Sequence, residues 1–524
     1  MDEWWRNCVC YQIYPRSFAD SDGDGVGDLP GITARLEHLE WLGVECIWLS
    51  PTFPSPNEDW GYDVADYYGV HPELGTMDDM DALIAEAARR GIRIVLDLVP
   101  NHTSVAHPWF VDARSSRTSK YRDWYVWGDP KPDGSAPNNW TSSFIGPAWT
   151  FDEGSGQWYL HNFLPGEADL NWWNPDVGAE FDEIFKFWFA RGVAGFRIDV
   201  AHMIIKDREL RDNPPPTDSD FLLDQIRGQV TLYNANRPEV HDVYRHWRLL
   251  ADSYDESRML VGETFVGQIE QVVDYYGKGD ELSLAFNIPF LTSPFEIQRL
   301  RALAERTEEL LRTDCTPVWT GSNHDMSRFP TRWAAGDPAR TRAALLMLLA
   351  LRGTMFLYYG DEIGLPDTDV PLDRLLDPVS VEYQPVLNRD AARTPMPWDP
   401  SDGAGFTESG VEPWLPFGDL RACNVADQRA DLTSTLNFTR DVITLRRELP
   451  DLRGGAYLMH TADGELWAWR RGEGTLIAIN FGDASATVSN VGGTVLIGTD
   501  RARDGEHVDG SFELGPNEGV IVRV

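Results

Sequence analysis

Apolar and polar positions along the chain fall into a unit that repeats. "ITARLEHLEWLG" runs into "VECIWLSP", "MDALIAEAARRG" into "IRIVLDLVPN", and "FDEIFKFWFARG" into "VAGFRIDVA". The first half of each is an amphipathic helix that stops at a glycine (Gly43, Gly91, Gly192), where a left-handed cap favours that residue. The second half is short and apolar almost without interruption, the pattern of a parallel strand buried on both faces. Eight such strands can be read: "CVCYQIY", "ECIWLS", "IRIVLDLV", "GFRIDV", "MLVGET", "LSLAFN", "TPVWTGS" and "TMFLYYG". Eight strands separated by helical stretches predict an α/β fold, a (β/α)8 TIM barrel rather than an open sheet.

Two connections are too long for plain loops. Residues 104–175, rich in Trp, Gly and Pro, form an inserted domain after strand 3, and a second insertion spans about 361–418 after strand 8. From residue 455 the pattern changes to short alternating strands with Gly/Asp turns, "YLMHTADGELWAWRRGEGTLIAINFG", a C-terminal antiparallel β-sandwich. The expected organisation is a barrel built from residues 1–103 and 176–454, an inserted domain over 104–175, and a β domain over 455–524.

Composition sharpens this picture by exclusion. Apolar residues make up 42% of the 524 positions, with 21 Trp, enough for a large core. No apolar run approaches the ~20 residues of a membrane-spanning helix, so no membrane partner is expected. A formal charge of −37 repels phosphate backbones and argues against nucleic acid. Five cysteines, odd in number and mostly inside strand-like runs, are expected to be reduced. The acidic N-terminus "MDEWWRN" lacks the features of a signal peptide, so the expectation is a cytoplasmic monomer or homodimer.

In such a barrel the site lies at the C-terminal ends of the strands. Those ends carry Asp199 after strand 4, Glu263 after strand 5 and Asp325 after strand 7, with His102 after strand 3 and His324 beside Asp325. Arg197 and Asp199, two apart on a strand, face the same way. One strand-end carboxylate alone reads as a salt bridge; three at successive strand ends, with Arg and His beside them, suit glycoside hydrolysis, in which one carboxylate attacks and a protonated one serves the leaving group. Arg197 is expected to keep Asp199 ionised, and a neighbouring carboxylate to raise the proton affinity of Glu263. A separate motif, "DSDGDGVGD" (residues 20–28), has Asp20, Asp22, Asp24 and Asp28 at positions 1, 3, 5 and 9 of an EF-hand loop and Gly25 at position 6. Gly31 stands where the twelfth-position glutamate should be, and no helix pair brackets the loop, which excludes a sensor.

"DLVPNHT", "GFRIDV", "GET" and "NHD", in that order, resemble the four conserved regions of the α-amylase superfamily, glycoside hydrolase family 13. "YQIYPRSFADSDGDGVGDLPGI", "DWGYDVADY", "ADLNWWNP" and "RDAARTPMPW" narrow the likeness, which covers essentially the whole chain, to the α-glucosidase and oligo-1,6-glucosidase branch. The resemblance implies a retaining, exo-acting enzyme on short α-glucosides. Asp199 would be the nucleophile, Glu263 the general acid/base and Asp325 the carboxylate gripping the ring hydroxyls in the transition state. It further implies that His102, Arg197 and His324 line the subsite of the terminal glucose, that Asp59 binds its outer hydroxyls, and that Tyr62 stacks on the sugar. Arg389 would pair with Asp59 to close the pocket, joined by Arg393, with Phe144 and Phe163 as pocket walls. The Asp-rich loop would bind a structural Ca²⁺, or Mg²⁺, through Asp20, Asp22, Asp24, Asp28 and the Val26 carbonyl, and no organic cofactor is implied.

Two linkage cues disagree. Val200, after the nucleophile, matches α-1,6-preferring members of the branch, whereas "EADLN" puts Glu167 and Ala168 where those members carry Gln-Pro. The balance favours maltose-type α-1,4 cleavage. Sucrose- or trehalose-converting transglucosidases share the catalytic set and are the alternative. A non-catalytic transporter subunit is a remote one, because all three carboxylates are present.

Overall fold

The structure, a computed structural model, describes residues 3–144, 146–218, 222–378 and 388–524. Eight parallel strands form its centre: β1 (Val9–Ile13), β2 (Cys46–Leu49), β3 (Arg93–Leu98), β4 (Gly195–Ile198), β5 (Met259–Gly262), β6 (Leu284–Ala285), β7 (Val318–Thr320) and β8 (Thr354–Tyr358). All eight coincide with the apolar runs of the sequence. The ladder runs β6-β5-β4-β3-β2-β1-β8-β7, so β1 is flanked by β2 and β8 and the sheet curls into a nearly closed barrel. Side chains alternate strictly: Cys10, Cys46, Trp48 and Val95 fill the barrel interior, whereas Tyr11, Ile13, Ile47 and Leu96 meet the helices. The near-continuous apolar sequence follows from burial on both sides. All five cysteines are free, with Cys10 Sγ and Cys46 Sγ 3.1 Å apart.

The outer helices begin and end as their sequences dictate. α1 (Leu29–Leu42) is capped by Asp28, which accepts from the Gly31 amide at 2.6 Å, and ends at Gly43 with φ of +90°. α2 (Met77–Arg89) starts with a capping box between Thr76 and Asp79. α3 (Pro175–Ala190) starts at Asn174 and buries Phe181, Phe185 and Trp188 against the barrel.

The segment between β3 and α3 carries two small antiparallel sheets, one pairing His102–Ser104 with Glu167–Asp169, the other built from Trp127–Gly128, Trp149–Asp152 and Gln157–Leu160. It is tied to a third long connection that periodicity did not reveal, the stretch between β4 and the helix Val240–Asp252. Amide side chains make the tie: Asn138 Nδ2 donates to Leu210 O (3.1 Å), Asn139 Nδ2 to Asn213 O (2.9 Å), and Asn234 Nδ2 to Asn162 Oδ1 (2.9 Å).

At the C-terminal end a six-stranded antiparallel sheet packs one face (Leu466, Ala468, Leu476, Ala478) on a two-stranded sheet of Ala486–Ser489 and Ser511–Leu514, and the other (Trp467, Trp469, Ile477) on the barrel. Arg471 Nη1 donates to the carbonyl of Ala350 (2.8 Å), the last residue of helix Pro338–Ala350, where cations suit the dipole. Among the described residues no helix is long and apolar enough to cross a membrane.

Candidate active site

Arg197 organises the mouth of the barrel. It sits on β4, is 1% exposed, and reaches Asp199 Oδ1 (2.7 Å) and Asp97 Oδ1 (2.8 Å) through Nη1 and Glu263 Oε2 (2.9 Å) through Nη2. One cation is thus shared by three carboxylates. The expected Arg197–Asp199 contact is present, and Asp97 and Glu263 share the same cation. Burial pushes the Asp199 carboxyl well up, Arg197 opposes it, and Glu263 and Asp97 add to it. Glu263 Oε2 also accepts from the Val200 amide (3.0 Å). Val200 delivers that amide with φ of +35°, a backbone region that β-branched residues rarely enter.

Asp97 was not singled out in the sequence. It lies in the middle of "IVLDLV", directly opposite Arg197 in the β3–β4 register, and accepts from Trp48 Nε1 and Tyr62 OH, each at 3.1 Å. Burial raises its carboxyl to about 6 against the pull of Arg197. A charged residue inside an otherwise apolar barrel strand was the signal available.

Asp325, after β7, has different surroundings. His324 Nε2 (3.1 Å), Arg393 Nη2 (3.1 Å) and Arg389 Nη1 (3.3 Å) surround it. Burial would raise its carboxyl, but these groups hold it well below the ordinary carboxylate range. His324 is fully buried, and burial lowers it to about 3, so the ring is neutral. Gln12 Nε2 faces Nδ1 (2.8 Å), which leaves the proton on Nε2 toward Tyr62 OH (2.6 Å) and Asp325. Tyr62 stacks on His324 with centroids 5.3 Å apart, an arrangement that sequence did not foresee. Arg393, expected to join Arg389, shares Asp325 with it and donates to His324 O (2.8 Å).

At the rim, Arg389 Nη2 meets Asp59 Oδ1 at 2.6 Å, although the two are far apart in sequence. Arg389 lies over the Phe144 ring (5.2 Å), Phe144 packs edge-on against Phe163 (5.4 Å), and Phe163 packs against His102 (5.3 Å). Both phenylalanines are half-buried and face these polar groups, as pocket walls would. His102 Nε2 lies 3.4 Å from Glu167 Oε1 and 3.2 Å from Tyr62 O. Burial disfavours charge on that ring, yet Glu167, Asp199 and Asp169 draw it up to about 9. The Asn101 amide nitrogen stands 3.1 Å from Nδ1 and favours the neutral ring instead. The amide contact decides, because Lys206 Nζ holds the Asn101 oxygen (2.7 Å) and keeps the amide from turning, so the single proton is on Nε2.

On the loop after β1, carboxylate oxygens of Asp20, Asp22 and Asp28 lie within 4.8 Å of one another. Three hard oxygen donors at that spacing fit Ca²⁺ or Mg²⁺. Asp24 is not in the group: its Oδ1 accepts from the Val26 amide (2.8 Å). Thr407 Oγ1 donates to Asp20 (2.5 Å) and the Trp414 amide to Gly25 O (2.9 Å), tying the loop to the insertion that carries Arg389.

The family model described as "Alpha amylase, catalytic domain" matches residues 12–455. A protein of Rhizobium meliloti (strain 1021) named "Probable alpha-glucosidase" is 40% identical over 93% of this chain and 90% of its own length. An oligo-1,6-glucosidase of Heyndrickxia coagulans is 37% identical over 92% of this chain and 93% of its own. The crystal structure of the alpha-glucosyl transfer enzyme XgtA matches over 100% of both chains with a TM-score of 0.93 at 36% identity.

Proposed function

The chain belongs to the α-amylase family of glycoside hydrolases, in its α-glucosidase and oligo-1,6-glucosidase branch, and on that basis we propose a retaining, exo-acting α-glucosidase that favours α-1,4 linkages. The observation that carries this reading is the Asp59–Arg389 pair, whose arginine also reaches Asp325. It puts a charged wall where a chain end would have to stop, so one terminal glucose enters at a time.

In the mechanism, Asp199 attacks the anomeric carbon while Glu263 gives its proton to the departing oxygen, leaving a glucosyl ester. Glu263, now a carboxylate, takes a proton from water, whose oxygen breaks the ester and releases α-glucose. The Val200 amide and Arg197 Nη2 both point at Glu263 Oε2, which leaves Oε1 for the proton. Asp325, kept ionised by its cations, grips ring hydroxyls as positive charge develops at the anomeric centre. The neutral His324 orients that carboxylate without competing for charge.

Glu167 and Ala168 support the α-1,4 preference against the Val200 cue. A second reading is transfer of the glucosyl group to a sugar hydroxyl instead of water, favoured by the likeness to XgtA. We further propose that the β1 loop holds a Ca²⁺ or Mg²⁺ ion through Asp20, Asp22 and Asp28 in a stabilising role, since the loop fastens the rim insertion. Product analysis on maltose, isomaltose, sucrose and trehalose, scored for anomer and for new oligosaccharides, tests the whole proposal. α-Glucose from maltose supports it, preference for isomaltose reverses the linkage, and rearranged disaccharides favour the transferase. No turnover of any of the four overturns it.

A further inference from the structure

The pairing of Arg389 with Asp59 leaves unexplained a third carboxylate. Asp377, in the stretch after β8, is completely buried and grips the far edge of the same guanidinium, with Arg389 Nε at 2.9 Å from Oδ2 and Nη2 at 2.5 Å from Oδ1. Its own backbone is held in turn: the amides of Leu376 and Asp377 donate to Asp390 Oδ2 at 2.8 and 3.0 Å. A two-point carboxylate grip sets the plane of a guanidinium as well as its place. Here that plane lies over Phe144, with Nη2 turned to Asp59 (2.6 Å) and Nη1 to Asp325 (3.3 Å).

We propose that Asp377 is a positioning residue for capture of the terminal glucosyl unit, holding Arg389 edge-on to Asp59 and limiting how much of that cation Asp59 receives. The inference rests on the exo-glucosidase reading above. Among the described residues, the charged groups acting on Asp59 include the cations Arg389 and Arg393 and the carboxylates Glu167, Asp377 and Asp63, the last accepting from the Asp59 amide (3.2 Å). Burial lifts the Asp59 carboxyl to about 7, with Arg389 opposing and Glu167 and Asp377 adding. A carboxylate that must accept hydroxyl hydrogen bonds is thus poised to titrate near neutrality, and Asp377 is one reason.

The test compares wild type, Asp377→Asn and Asp377→Glu for kcat and KM on maltose across pH 5–9, with melting temperature recorded alongside. Wild type must first release α-glucose; if no disaccharide is cleaved, the glucosidase reading fails, not this one alone. In Asp377→Asn the KM should rise about tenfold with a smaller loss in kcat, because the lost contact serves ground-state capture. The acid limb of kcat/KM should move down by about one pH unit, as expected on removing a nearby like charge. Asp377→Glu should restore most of both. A purely structural residue would lower the melting temperature and leave the limb in place. Folded Asp377→Asn with an unchanged KM and an unmoved limb overturns the proposal. Should that variant not fold, Asp377→Ser decides: it keeps a small polar side chain but no carboxylate, so wild-type KM and pH profile there refute it equally.

Discussion

Replacing Arg197 by Lys tests the reading of the site most severely. The guanidinium holds Asp97, Asp199 and Glu263 at 2.7–2.9 Å from two nitrogens, a span that an ammonium cannot reproduce. Lys would keep one of these contacts at best. Removing one partner of a buried pair costs about 3–5 kcal/mol when the remaining charge is left uncompensated. At 1.36 kcal/mol per pKa unit, that corresponds to an upward shift of about 2–4 units distributed over the abandoned carboxylates. Asp199 must be ionised to attack, and its carboxyl is already raised by burial. A further rise moves the acid limb of kcat/KM to higher pH, by about 2 units at the lower figure. Below the new limb the rate falls by about 100-fold, one decade per unit. The assay is kcat/KM for maltose across pH 5–9, with circular dichroism and melting to show that the barrel survives. Arg197→Lys retaining more than a tenth of wild-type activity at pH 6 with an unmoved limb would refute the shared-cation account.

Asp199→Asn and Glu263→Gln should each remove nearly all turnover with the fold intact; more than a few per cent remaining in either, by glucose release, would sink the assignment of roles. Chelation with EDTA should lower the melting temperature without abolishing activity at 25 °C, and Asp20→Asn should make melting insensitive to chelator; unchanged melting in wild type would leave the acidic loop as a turn only. Asp361, fully buried after β8, has its carboxyl raised by burial from an ordinary 3.8 to about 7 against the pull of Arg328. A raised acid contributes stability that is whole below the ordinary value and lost as pH climbs through the raised one. Asp361→Asn should therefore gain melting temperature relative to wild type between pH 5 and pH 8, and an equal difference at both pH values would contradict this.

The barrel strands and their order were legible because burial on both faces writes an unambiguous apolar run. Asp199, Glu263 and Asp325 were legible because strand ends are where such a run stops. What escaped notice was pairing across strands. Alternation tells which way Arg197 points, but only the β3–β4 register sets Asp97 opposite it. The contact of Arg393 with Asp325 is of the same kind: its motif places it near the rim, whereas the turn Asp390–Ala392 decides which carboxylate it meets. The connection after β4 stayed hidden because amides such as Asn138, Asn213 and Asn234 hold it, and these have no periodicity. Asp24 has EF-hand spacing, yet its carboxylate lies outside the group formed by Asp20, Asp22 and Asp28.

Val200 has one more consequence, for any attempt to improve the protein. Its backbone at φ of +35° costs of the order of 1–3 kcal/mol. That strain is sustained by the packing of its side chain on Met203, Ala235 and Phe163 and by the amide it delivers to Glu263. Glycine there would relax the backbone and loosen the amide's aim. A screen that rewards heat resistance alone is drawn to position 200 and selects against turnover there, so heat resistance and activity have to be selected together.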